Sequence, residues 1–115
     1  MPSELGSFIR ERRTAAGLGL RELARRIGKS APFLTQLERD DMPPPASEET
    51  LTAIAKELAV NVDELFARAN KLPKALAPQT AVEVALFRRM KAMSAKDQER
   101  YLEMLKQKKP RGQKG

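Results

Sequence analysis

Whatever chemistry this chain performs, it performs without histidine or cysteine. Imidazole acid–base catalysis, thiol nucleophiles, disulfides and zinc sites built on those ligands are therefore excluded together. The carboxylates are scattered along helical patterns, with no glycine-rich phosphate cradle and no metal-ligand spacing among them. No enzyme site, metal or cofactor is expected. What remains is charge: 22 lysines and arginines against 15 acids leave a net charge of +7, which favours polyanionic partners. Duplex DNA, RNA and a membrane surface all fit that description, so the elements that position the cations must choose among them.

Residues 18–39, LGLRELARRIGKSAPFLTQLER, make the choice. Leu20, Leu23, Ala24 and Ile27 repeat at the spacing of a helix with one buried face, and Leu34, Leu37 and Glu38 continue such a face beyond Gly28. Gly28 suits a left-handed cap that ends the first helix, and Ser30 suits an N-cap for the second. Pro32 falls in the first turn, where a missing N–H costs nothing. The pattern is a helix-turn-helix, which in a basic chain presents its second helix to the DNA major groove. The plain alternative is a helical hairpin within a bundle.

The rest of the chain supplies a frame. Leu5, Phe8, Ile9 and Ala16 predict a first helix from Glu4 to Ala16 that ends at Gly17. The segment DDMPPPA cannot be helical, and it predicts a stiff extended connection. Ser47 caps a fourth helix over 48–58, and Asn61 caps a short fifth one ending near Ala69. The expected fold is all-α, a five-helix repressor-like domain over 1–72 with a C-terminal helical appendage over 79–107. A basic tail, 108–115, lacks periodicity and is expected to be disordered. In the appendage, AVEVALFRRMKAM predicts one amphipathic helix, and Ser94 with Asp97 predicts a capping box opening another. Two such helices cannot form a core alone. Val82, Leu86, Phe87, Met90, Leu102 and Leu105 are therefore expected either to make a dimer or to fold back on the domain. No apolar run approaches the roughly 20 residues that span a bilayer, and the N-terminus lacks a signal-peptide core. A soluble, cytoplasmic protein is expected.

The stretch from about Leu5 to Leu72 resembles the Xre/Cro family of helix-turn-helix DNA-binding domains, the phage-repressor type. The likeness is carried by Ile9, Arg10 and Arg13, then Gly17, Leu18, Glu22, Leu23 and Ala24, then Gly28 and Ser30, and finally Leu37, Glu38 and Arg39. It implies a recognition helix near Ala31–Glu38, with Ala31, Pro32, Thr35 and Gln36 facing the bases. Gln36 is the sharpest reader, because an amide can donate to and accept from adenine at once. Ala31 and Pro32 depart from relatives with polar readers there, which leaves thymine-methyl contact or no readout.

Phosphate contacts are expected from Lys29, Ser30 and Arg39, helped by the amide end of the second helix. Many relatives open that helix with glutamine where this chain has Leu20, so Arg21 is expected to stand in. Asp40 and Asp41 replace the usual Gly-basic pair and would repel nearby phosphate. Arg25 and Arg26 can serve either solubility or DNA. The resemblance also implies a partly buried structural ion pair between Arg13 and Glu38. Taken together, these features predict a sequence-specific transcriptional regulator, a repressor that binds a palindromic operator as a homodimer. The rival is an antitoxin-like or protease-partnered module whose C-terminal helices bind another protein, and a third reading is charge-driven, nonspecific nucleic-acid binding.

Overall fold

The computed structural model describes residues 3–108, and these form seven α-helices and no strands, the all-helical class expected. The chain divides into two compact units, residues 1–76 and 77–115. The boundary falls inside the Pro73–Pro78 stretch, past the expected domain end at 72. Residues 109–115 of the expected tail lie outside the described residues.

In the first unit, α1 (Glu4–Ala15) opens on Ser3, whose hydroxyl accepts from the Gly6 amide at 3.0 Å. Helices α2 (Leu20–Arg26) and α3 (Ala31–Arg39) are the helix-turn-helix pair. Their turn closes with two bonds, Gly28 N to the Arg25 carbonyl at 3.1 Å and Lys29 N to the Ala24 carbonyl at 2.9 Å. That pattern needs a left-handed residue between them, and Gly28 supplies it at φ +72° without a Cβ penalty. The same paired bonds close α4 (Glu48–Leu58) and α5 (Val62–Arg68), but with Ala59 and Asn70 in the left-handed position. A 3-10 turn, Lys74–Leu76, follows.

Leu5 and Ile9 of α1, Leu23 of α2, Leu34 and Leu37 of α3, Leu51 and Ile54 of α4, and Leu65 of α5 meet in one core. Burying each such side chain stabilises the fold by about 1.5–3 kcal/mol. Helix α3 packs against both α1 and α2, so its orientation is set from two sides. Gly6 is what lets α1 approach: a Cβ there would lie 2.5 Å from the Leu37 carbonyl oxygen and 2.7 Å from that of Glu38.

The second unit is a hairpin of α6 (Ala81–Ala92) and α7 (Ala95–Lys106). A full capping box opens α6. The Thr80 hydroxyl accepts from Glu83 N at 3.1 Å, and the Glu83 carboxylate accepts from Thr80 N at 3.3 Å. The box expected at Ser94 is only half made, with the hydroxyl accepting from Asp97 N at 3.1 Å. Gln98 donates its side-chain amide to the Met90 carbonyl at 2.7 Å, which ties the start of α7 to the end of α6.

Candidate nucleic-acid interface

Nine residues of α3 present two sides. Leu34, Leu37 and Glu38 point into the core, each at most 2% exposed. Pro32, Thr35, Gln36 and Arg39 follow the i, i+3, i+4, i+7 spacing on the other side. Pro32, Gln36 and Arg39 are exposed, while Thr35 and Ala31 are half-buried. Phe33, at the flank, is half-buried against the core, and the Lys29 ammonium sits 5.6 Å above its ring.

The helix begins at Ser30, whose hydroxyl accepts from the Phe33 amide at 3.2 Å. That cap uses an oxygen lone pair and leaves the O–H free to donate. Arg21, Lys29 and Arg39 are exposed, and among the described residues none lies within 4 Å of a carboxylate. Leu20 is half-buried against the core, so the position where relatives carry glutamine packs here.

Arg25 and Arg26 are already engaged. Both reach Glu22, Arg25 Nε at 3.1 Å and Arg26 Nε at 2.9 Å, and Arg26 also approaches Glu57 at 3.7 Å. The hydrogen bonds from Arg25 and then Arg26 pull the Glu22 carboxyl down to about 2. Asp40 and Asp41 follow the far end of α3, about 12 Å from its start by helical rise. There the Asp40 carbonyl accepts from Ser3 N at 3.2 Å, which ties this loop to the start of α1.

Arg13 holds the arrangement from behind. Its Nε and Nη2 donate to the two Glu38 carboxylate oxygens at 2.7 and 2.9 Å, and its Nη1 donates to the Leu18 carbonyl at 2.9 Å. The fork raises the Arg13 pKa above its ordinary value through the Glu38 hydrogen bonds. One side chain therefore links α1, the loop before α2 and the end of α3. A second cation, Arg68 of α5, stacks on Phe8 with its guanidinium carbon 4.2 Å from the ring centre, an interaction that sequence spacing does not reveal.

In the hairpin, Leu86, Phe87, Met90, Leu102 and Leu105 line an apolar groove of about 550 Å3, joined by Met93 and Tyr101. Val82, expected on the same surface, is 69% exposed and does not line the groove. Among the described residues, no cluster of acidic side chains could hold a metal ion, and no helix is long and apolar enough to cross a membrane.

A five-helix core that locks one side of α3 and bares the other is the architecture of a DNA-reading helix-turn-helix. The profile of the helix-turn-helix domain matches residues 4–68, and the chain belongs to that family. It is 45% identical over 67 residues to uncharacterized HTH-type transcriptional regulators from two strains of Mycobacterium tuberculosis, CDC 1551 and H37Rv. The match covers 58% of this chain and 46% of each relative, so the chain aligns with about half of their length. Among solved structures, it is similar to the clp gene regulator ClgR of Corynebacterium glutamicum, with 31% identity and a TM-score of 0.52 over 59% of this chain and 70% of that one. It is also similar to the SinR protein/SinI protein complex, with 25% identity and a TM-score of 0.51 over 89% of this chain and 94% of that one. The chain is thus a helix-turn-helix regulator by family, and no enzyme family appears among these likenesses.

Proposed function

We propose that this chain is an Xre/Cro-type, sequence-specific repressor that binds a palindromic operator in the cytoplasm as a homodimer. The observation that carries the reading is the outer side of α3, where Gln36 stands exposed on a helix whose opposite side is fixed in the core. In this reading Gln36 pairs with adenine, worth about 1–3 kcal/mol of discrimination. Thr35 offers a hydroxyl and a methyl, and Ala31 and Pro32 meet thymine methyls. Arg21, Lys29, Ser30 and Arg39 take phosphates and set the register. One such helix reads only a few base pairs, so useful specificity requires two half-sites and a twofold dimer. The groove lined by Leu86, Phe87, Met90, Leu102 and Leu105 is the surface for the second copy, and Val82 stands exposed outside it. Repression follows because a small domain that covers a promoter needs no activating surface.

Selection of bound sites from random duplex DNA tests the reading. The wild type is expected to enrich a two-half-site sequence, and Gln36→Ala to relax one base position per half-site with the fold intact. Lys29→Ala is expected to weaken all sequences alike. If Gln36→Ala enriches the same sequence as the wild type, the reading face is misassigned.

A second reading has one observation in its favour: the likeness to the SinR protein/SinI protein complex extends over 89% of this chain, into the hairpin. In that reading the groove takes a different protein. Sedimentation of the purified chain separates the two, since a concentration-independent monomer with an open groove fits only the second.

A further inference from the structure

Net charge is divided unequally between the two units. Residues 77–115 hold ten of the 22 basic residues and four of the 15 acidic ones, a net of +6, of which +4 comes from Lys108, Lys109, Arg111 and Lys114 beyond α7 and +2 from the hairpin helices, whereas residues 1–76 carry twelve against eleven, a net of +1. In the first unit the acids also occupy cations: Arg13, Arg25, Arg26 and Arg68 each lie within 4 Å of a glutamate. In the hairpin, among the described residues, Lys106 alone does so, 3.2 Å from Glu103. Arg88, Lys91, Lys96 and Arg100 are exposed and stand apart from the apolar groove; Lys96 and Arg100 line a separate shallow surface with Glu99 and Glu103. Arg88 and Lys91 are three apart on α6, and Lys96 and Arg100 four apart on α7, so each pair neighbours on its helix surface.

We infer that the basic side of the C-terminal hairpin is a second, sequence-independent phosphate-binding surface that holds duplex DNA outside the base pairs read by α3. This rests on the operator-binding reading above. A reading unit of net +1 draws a polyanion weakly, and its three open cations around α3 set register rather than supply bulk attraction. The hairpin concentrates its cations: Arg88, Lys91, Lys96 and Arg100 stand within thirteen residues, and among the described residues none lies within 4 Å of a carboxylate. Adjacent like charges repel, and that repulsion is relieved when an anion neutralises them. Duplex DNA presents one phosphate charge per about 1.7 Å of axis and releases counterions for each phosphate neutralised. Phosphates this closely spaced can meet several cations at once, which favours duplex DNA over a folded acidic protein with sparser charge. Because the units share one chain, a seated α3 raises the local concentration of phosphates at the hairpin. Glu99 and Glu103 limit what α7 contributes, so Arg88 and Lys91 of α6 are the principal phosphate partners.

The test uses the full chain with Arg88→Gln, Lys91→Gln, Lys96→Gln and Arg100→Gln together, measured on the selected operator across a salt series. The slope of log affinity against log salt is expected to become shallower by roughly 2 to 4 per protomer, and so by roughly 4 to 7 for the bound dimer, at about 0.9 for each phosphate no longer neutralised. The preference for operator over random duplex is expected to persist. The charge-conserving set Arg88→Lys, Lys91→Arg, Lys96→Arg and Arg100→Lys is expected to keep the wild-type slope, which separates charge from folding. A glutamine variant with the wild-type slope overturns the inference. A conserving variant whose slope flattens as fully as that of the glutamine set also overturns it, because the change is then structural. Failure of the operator reading looks different: the wild type itself shows no preference among duplex sequences.

Discussion

Arg13 directs three donors to two partners, and the energetic consequence is asymmetric. Glu38 is 2% exposed, so removing Arg13 strands a carboxylate in the core. Arg13→Met or Glu38→Leu alone is expected to lower stability by about 3 kcal/mol in urea denaturation, and the double change Arg13→Met with Glu38→Leu by clearly less than the two losses added. Additive losses would show that the two side chains do not support each other. Glu22 offers a milder case at the surface. Its carboxyl titrates near 2 instead of 4.5 because Arg25 and Arg26 donate to its charged form. A group whose folded pKa is depressed contributes stability above its unfolded pKa and loses it as pH falls toward the folded one. Its share should thus be complete above about pH 4.5 and fade toward pH 2, so Glu22→Gln should flatten the stability profile across that window only. The reading-face residues around Gln36 and the Arg13 pair are accessible in the sequence through family likeness rather than spacing. A side chain 25 positions away has no local signature.

Elements announce their own ends better than their neighbours. Ser30, Ser47 and Asn61 are readable as caps because a cap bonds only two or three residues ahead. At Ser94 the expected reciprocal bond is not made, since aspartate is one methylene shorter than the glutamate such boxes use. The full box at Thr80 and Glu83 is spelled in the chain as Thr-x-x-Glu, but the stronger apolar signal beside it obscures it. Gly6 is not legible at all, because its constraint is the backbone of α3 rather than its own helix. Gly6→Ala is expected to push α1 off the Leu37 and Glu38 carbonyls and cost about 1–3 kcal/mol, read as a lower melting temperature. The opposite sign is expected where a Cβ is already misplaced. Ala59 sits at φ +54° with its side chain exposed, so Ala59→Gly relieves the left-handed strain and loses no packing. The greater freedom of glycine in the unfolded chain offsets part of that, leaving a gain of about 0.5 kcal/mol. A lower melting temperature for that variant would mean that the cap tolerates alanine without strain.

At the scale of the whole molecule, the proposed reading gives base recognition to the first unit and pairing to the second, so cutting between them is informative. A chain ending at Leu76 is expected to stay helical, to sediment as a monomer, and to bind a two-half-site operator hardly better than a single half-site. A truncated chain that still sediments as a dimer would move the interface into the first unit. The division is legible as a proline-bearing stretch around 70–78, and most of the charge excess beyond it is legible as the basic tail after α7. On the proposed dimer reading, pairing needs the encounter of two chains. Occupancy of a paired operator then rises with the square of the monomer supply at low expression, which turns a gradual change in synthesis rate into a threshold.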